Sequence, residues 1–437
     1  MPNPTRTWRL ATVGVLGALA LLPLAACGGS DGPATTTERA EAVSTWDGAS
    51  GWRPRPAAPE AAPRASWRVP ARLDDDGSYL VNDGVVVVAD RPPGASMVTV
   101  TRIDPNGGGE LWSATVEASG PIQLAEDPAG SVVTVVTETG PDGAEATVLD
   151  AETGAVVWTG VGDAAISVQS LDDVLLVADF PTSSAVDRES GEVLWTTDRF
   201  LTVSDGQVLA EDLDVSGKVE TSNVAVLDPA TGEARWDLKR PLFGDVVIVG
   251  DTLVLTQDDG GIGRATGYEV ADGTERWQAK VPPVGRTRVE PIGDDAILVI
   301  SGDVSGSVAG DRGTAVVALA LADGSERWRT MASTTTTLLV DDEARVVLDR
   351  DDGTELIKGL TGDVLGRSDT LPYAPPGIAG GAVYVAEDGK VAARAVPGLD
   401  VLWDVTVDDE ELLGATDGGF VTVAGDGRGS ELVGYTG

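Results

Sequence analysis

From residue 84 onward the chain is written in short apolar runs: GVVVVAD at 84–90, SVVTVVT at 131–137, DVLLVAD at 173–179, DTLVLTQ at 251–257, DAILVIS at 295–301 and AVYVAED at 382–388. Asp, Gly, Ser and Thr punctuate them, and the segment after residue 65 is rich in Val, Thr, Gly, Asp and Trp. Runs of this length between turn-forming residues predict short β-strands, and no stretch there suggests a long helix.

Between the runs one pattern returns: a strand ends in an acidic residue, a turn closes on Gly, and Trp follows after four residues. The copies are Asp104 to Trp112 (DPNGGGELW), Asp150 to Trp158 (DAETGAVVW), Asp187 to Trp195 (DRESGEVLW) and Asp228 to Trp236 (DPATGEARW). Looser ones follow at Glu269 to Trp277 (EVADGTERW) and Ala320 to Trp328 (ALADGSERW). A seventh, LTGDVLG, has Gly366 where Trp is expected, and an eighth, GLDVLW, reaches Trp403 with an apparent extra residue after Gly398. Successive positions lie 37 to 51 residues apart, the length of one four-stranded propeller blade. The repeat position holds seven of the eleven Trp: Trp112, Trp158, Trp195, Trp236, Trp277, Trp328 and Trp403.

The motif has physical content. The acid can accept bonds from turn amides, Gly supplies a positive φ, and Trp is a broad apolar plate suited to packing between sheets. All seven Trp are therefore expected to be buried between blades. The last segment, GGFVTVAGDGRGSELVGYTG, begins a repeat and stops before its Trp strand, whereas Ala65-Ser66-Trp67-Arg68-Val69 is a Trp strand without a repeat. Joined, they complete a blade shared by the two ends and leave no open ring edge.

VLDAETGAVVW and VLDPATGEARW resemble the pyrroloquinoline-quinone (PQQ) repeat, Ala-x-Asp-x-x-Thr-Gly-x-x-x-Trp, and the resemblance extends over about residues 67–437. It implies an all-β fold, a single β-propeller of four-stranded blades. The motif copies and the shared blade count nine. The arrangement looks most like the family of the outer-membrane assembly factor BamB, and that resemblance implies eight, so eight is favoured and nine is the alternative.

Residues 1–26 read as a lipoprotein signal peptide, with Arg6 and Arg9 before an apolar run from Leu10 to Ala26. The run ends in Leu24-Ala25-Ala26-Cys27, which resembles the lipobox of bacterial lipoproteins, and Cys27 is the only cysteine in the chain. An ordinary signal peptide or a membrane span are the rival readings; Gly14, Gly17 and Pro23 disfavour a span. Residues 27–65 turn to Gly, Ser, Thr, Ala and Pro and read as the lipidated cysteine and a flexible, disordered stalk, with the propeller at 66–437. The expected location is extracytoplasmic, lipid-anchored to the cell membrane.

Charge and missing residue types narrow the chemistry. The chain carries −39, and residues 67–437 hold 25 basic against 65 acidic side chains, so the acidity belongs to the folded part. Such a field disfavours nucleic acid and anionic membrane surfaces and favours cations or basic partners. No histidine and one cysteine rule out Ser-His-Asp and Cys-His catalysis, histidine-ligated haem and the usual zinc cages. In the PQQ-dependent dehydrogenases of the repeat family a vicinal disulfide covers the quinone, and that is impossible here. Asn82, Asn106 and Asn223, the only propeller residues of the metal-ligating Asn type, read as turn or loop residues. Acidic runs at Asp74–Asp76, Asp349–Asp352 and Asp408–Glu411 lack calcium-loop spacing and read as hairpin turns. The resulting expectation is a non-catalytic protein-binding scaffold at the cell envelope, with no catalytic residue, cofactor or metal, and an envelope protein as its partner. A receptor for a small ligand or cation in the propeller channel is the alternative.

Overall fold

The computed structural model describes residues 62–437 apart from short connecting segments, the longest at 303–313 and 369–376. The proposed signal peptide, Cys27 and most of the proposed stalk lie outside the described residues. Every described element is a strand, and the strands form nine four-stranded antiparallel sheets. In chain order these are blade 1 (77–117), blade 2 (122–162), blade 3 (167–197), blade 4 (200–241), blade 5 (246–281), blade 6 (286–332), blade 7 (339–368), blade 8 (377–406) and blade 9. Blade 9 is composite: 410–436 supplies three strands, and Arg64–Pro70 pairs with Glu431–Thr436 as its outermost strand. Of the two counts, nine is the one realised. The degenerate seventh and eighth repeats each keep a whole sheet.

Within blades 1 to 8 the strands run from the channel outward in sequence order, and first strands of most adjacent blades meet around the ring. The apolar runs legible in the sequence are the second strands, such as Val85–Asp90 and Ala296–Gly302. Side chains alternate across a strand, so a strand buried on both faces feeds two seams at once. Val85, Val87 and Ala89 pack toward blade 2, whereas Val86 and Val88 pack toward blade 9. Nine apolar clusters result, one for each seam between neighbouring blades. The hydrophobic core is a ring of thin layers.

The Asn expectation needs one correction. Asn106 lies in a motif turn and Asn82 ends a strand, but Asn223 sits inside the third strand of blade 4 (Thr221–Leu227), opposite Asp212 and Lys239. Its polar side chain there reaches the Asp212 carboxylate at 3.5 Å.

Candidate functional site

The motif tryptophans stand on the outermost strands and clasp one blade to the next. In the motif turn the acid caps backbone: Asp150 Oδ1 accepts bonds from Thr153 N (2.9 Å) and Oγ1 (2.8 Å), and Gly154 N donates to Asp150 O (2.8 Å). In the third blade, bonds from Ser190 N and Oγ hold the Asp187 carboxyl below its ordinary range. The turn presents Gly154 at φ 71°, and a Cβ there would stand 2.6 Å from the Trp112 ring of blade 1, so only glycine lets the indole lie flat on the turn. The Trp112 Nε1 then donates to Ala151 O of blade 2 at 2.8 Å. Trp195, Trp236 and Trp277 repeat this bond to Pro229, Val270 and Leu321 at 2.7–2.8 Å, and Trp328 to Gly359. Trp67, from the N-terminal strand, bonds Pro105 O of blade 1 at 2.8 Å and so locks the composite blade into the ring.

Not every position follows the rule. Trp112, Trp277 and Trp403 are buried, but Trp158, Trp195, Trp236 and Trp328 are only half-buried, which corrects the expectation that all seven are enclosed. Trp158 packs against the apolar cluster of its seam but does not lie on the motif turn of blade 3: its ring lies over Gly160 of its own strand, and the atom nearest a Cβ at Gly191 is Val157 O. An ion pair stands in at that seam, from Arg188 of blade 3 to Asp150 of blade 2 at 2.9 Å.

The eighth repeat has no extra residue. Leu399 N bonds Ala395 O, and Ala395 N bonds Asp400 O, matching the turns of the other copies atom for atom, so Leu399 occupies the motif-glycine position at φ 60°. The preceding blade has Gly366 instead of Trp, and the buried Leu399 side chain packs with Leu356 and the partly buried Leu365 in the space a tryptophan takes elsewhere. The two sequence irregularities compensate each other. At the next seam Trp403 faces a blade whose motif turn is replaced by the chain ends, and it stacks on Phe420 (6.1 Å), which stacks on Tyr435 (4.6 Å).

Near the channel, polar side chains stitch successive blades. Gln169 Oε1 accepts Val203 N, Ser204 Oγ accepts Ile248 N (2.8 Å), and Asp245 Oδ2 accepts Val289 N (2.7 Å). The last stitch belongs to a half-buried cluster in which Arg288 pairs with the buried Glu290, with Glu211 and Asp245 nearby. Burial raises Asp245 to about 6, helped by the Glu211 charge and opposed by the Val289 and Val246 amides and by Arg288. Burial likewise raises Glu290 to about 7, with Arg288 opposing and Asp245 assisting. Both folded values exceed the unfolded ones. Their stabilising contribution is therefore complete below about pH 4 and is lost as pH rises through 6 to 7, on the order of 1–3 kcal/mol for the pair. Urea unfolding should show stability rising from pH 8 to pH 5, with Glu290→Gln flattening that rise; an unchanged pH slope in the variant would refute the assignment.

Among the described residues no three metal-ligating side chains converge on a site. Asp74–Asp76, Asp351–Asp352 and Asp408–Asp409 lie outside the described residues. Glu410 begins the first strand of blade 9 and accepts Tyr435 Oη at 2.9 Å.

The rim carries the most uneven chemistry. Nine of the eleven large apolar side chains found exposed among the described residues stand on outermost strands: Leu111, Val156, Val161, Val193, Leu194, Met331, Val364, Val401 and Leu402. Seven of these belong to blades 8, 1, 2 and 3. The corresponding positions in blades 4 to 6 hold Arg235, Arg276 and Arg327. Arg276 is held by Asp251 and Glu269, and its guanidinium keeps the Asp251 carboxyl down at about 2. Sequence reading misses this division, although the residue before each motif Trp, compared copy against copy, displays it.

A family model described as outer membrane protein assembly factor BamB matches residues 96–168 and 163–299, from the third strand of blade 1 into the second strand of blade 6. No curated protein matches the sequence. A structure of BamB from Moraxella catarrhalis is similar at 16% identity, covering 86% of this chain and 100% of that one, with a TM-score of 0.46. A eukaryotic initiation factor aligns at 12% identity over 78% of this chain and 90% of its own, with a TM-score of 0.56. A europium-containing methanol dehydrogenase aligns at 13% identity over 86% and 85%, with a TM-score of 0.38. At these identities the likeness is one of fold. The chain is a PQQ-like repeat propeller that resembles BamB.

Proposed function

We propose, for a propeller that resembles BamB through its PQQ-like repeats, that it is a non-catalytic scaffold held at the outer side of the cell membrane by a lipid on Cys27, where it binds an envelope protein. The observation that carries this reading is the rim of the consecutive blades 1, 2 and 3 and, beyond blade 9, of blade 8, where Leu111, Val156, Val193, Leu194, Val401 and Leu402 are exposed on outermost strands. Exposed apolar residues repeated along one side of a folded ring favour contact with a partner, because leaving them in water forgoes burial energy that a partner recovers. The ring that carries them is rigid by construction, every seam being filled and most being clasped.

Photo-cross-linking in living cells tests the reading directly. Reactive groups placed at Val193 and Leu402 should capture one envelope protein, whereas a group at Lys280 should not capture it. Cys27→Ser should remove the protein from the membrane fraction and sharply reduce the same cross-link. Membrane attachment unchanged in Cys27→Ser would overturn the anchor, and equal capture from all three positions would overturn the apolar contact. Oxidation of alcohols or sugars by the purified protein with pyrroloquinoline quinone and calcium would overturn the non-catalytic assignment.

A further inference from the structure

We infer that the outer wall of blades 4 to 7 is a second docking surface, specific for an extended acidic protein segment. The outermost strands of these blades are Ala234–Pro241, Glu275–Val281, Glu326–Ala332 and Val364–Ser368. They contain eight basic residues, Arg235, Lys239, Arg240, Arg276, Lys280, Arg327, Arg329 and Arg367, and three acidic ones, Asp237, Glu275 and Glu326. These four strands sum to +5 on a chain of net −39, with Asp251, Glu269 and Glu355 beside them pairing Arg276 and Arg367.

Charged residues on a sheet edge also serve to prevent edge-to-edge aggregation, and that bland role must be weighed first. If it were the explanation, each exposed edge would need them. The outermost strands of blades 1, 2, 3 and 8, Glu110–Glu117, Val156–Gly162, Val193–Thr197 and Val401–Thr406, contain no Lys or Arg at all. Apart from Arg64 and Arg68 on the N-terminal strand, the cations of the outermost strands are therefore segregated to four consecutive blades. Arg276, Arg329 and Arg367 are partly committed to Asp251, Glu326 and Glu355, but Lys239 and Lys280 are exposed and have no ion pair among the described residues. Between blades 6 and 7 the wall also opens into a shallow cleft of about 230 Å³, with Trp328, Arg329, Thr330 and Arg367 along its sides and Glu355, paired with Arg367, beside them.

The rest of the protein selects the shape of the partner. A broad anionic surface, such as a lipid bilayer, would bring the acidic remainder of the disc against like charge over a wide area. A narrow segment touches the basic wall alone, since exposed charges interact over only about 8 Å at physiological salt. The free edges of the outermost strands offer unpaired amides and carbonyls to an extended chain, and the lysines match carboxylates on it.

This inference rests on the scaffold reading for its biological use, but its test is independent. Fluorescence anisotropy with the full chain and a labelled peptide of alternating Glu and Thr should show saturable binding that weakens as salt is raised. The double variant Lys239→Glu with Lys280→Glu should weaken it about tenfold or more, with an unchanged melting temperature, whereas Glu117→Lys on blade 1 should leave it unaltered. Absence of peptide binding, binding indifferent to the lysine reversals, or equally tight binding of phosphatidylglycerol vesicles through the same lysines would overturn the proposal. Failure here with cross-links from Val193 and Leu402 intact removes only the basic wall; the reverse result removes only the apolar contact.

Discussion

Replacing Trp112 by alanine is expected to destabilise the propeller by about 3–5 kcal/mol, and the same change at Trp158 by roughly half as much or less. Trp112 is buried, lies on the Gly154 turn of the next blade and donates its indole N–H to Ala151 O at 2.8 Å. Removing it opens a cavity in the seam between blades 1 and 2 and leaves Ala151 O with the Arg102 guanidinium as its remaining side-chain donor. Trp158 is half-buried, lies over Gly160 of its own strand at the edge of the seam's apolar cluster, and makes no bond to the next motif turn, where the Arg188–Asp150 ion pair links the blades. Denaturant unfolding of both variants decides the matter. Equal costs would mean that clasping by the motif position is not what holds adjacent blades.

The second large effect concerns the seam between blades 7 and 8. Gly366→Trp alone should be strongly destabilising, by about 1–3 kcal/mol or more, because Leu399 already fills the space the indole would enter. Leu399→Gly alone should cost about 2–4 kcal/mol: it empties a buried site, offset in part by relief of a left-handed leucine at φ 60°. The double variant recreates the arrangement of the other seams, Trp over Gly, and should recover most of both losses. A thermodynamic cycle measures the coupling directly, and contacting residues of this kind couple by about 0.5–3 kcal/mol. Additive losses would show that the two irregularities are unrelated.

How much of this is readable without the structure depends on the length scale of the feature. The turn acid, Gly and Trp of each copy are local, so the outermost strands and the closing role of Trp67 follow from spacing alone. The eighth copy is easily misaligned because Gly398 attracts the eye as the turn glycine. Leu399 is acceptable there only through Gly366, thirty-odd residues earlier and across a seam. Asp245 and Glu290 are invisible in the sequence for a similar reason: their proximity depends on the register of two blades, and nothing local marks a buried carboxylate. Net charge misleads by being a sum. A total of −39 suggests basic partners, while a wall of the opposite sign stays hidden until the outermost strands can be placed side by side.

The pairing of Arg64–Pro70 with Glu431–Thr436 places the two termini of the folded ring at adjacent ends of neighbouring strands, Arg64 directly opposite Thr436. A turn with the motif sequence Asp-x-x-Thr-Gly would bridge them in the way the other blades are bridged. The order of blades is then arbitrary as far as folding is concerned: a circular permutant, opened at the connection after Asp214 in blade 4 and joined across the old ends, keeps every sheet and every seam. In such a molecule the attachment point of any leading segment migrates around the disc, so one fold can be presented to its surroundings in different orientations.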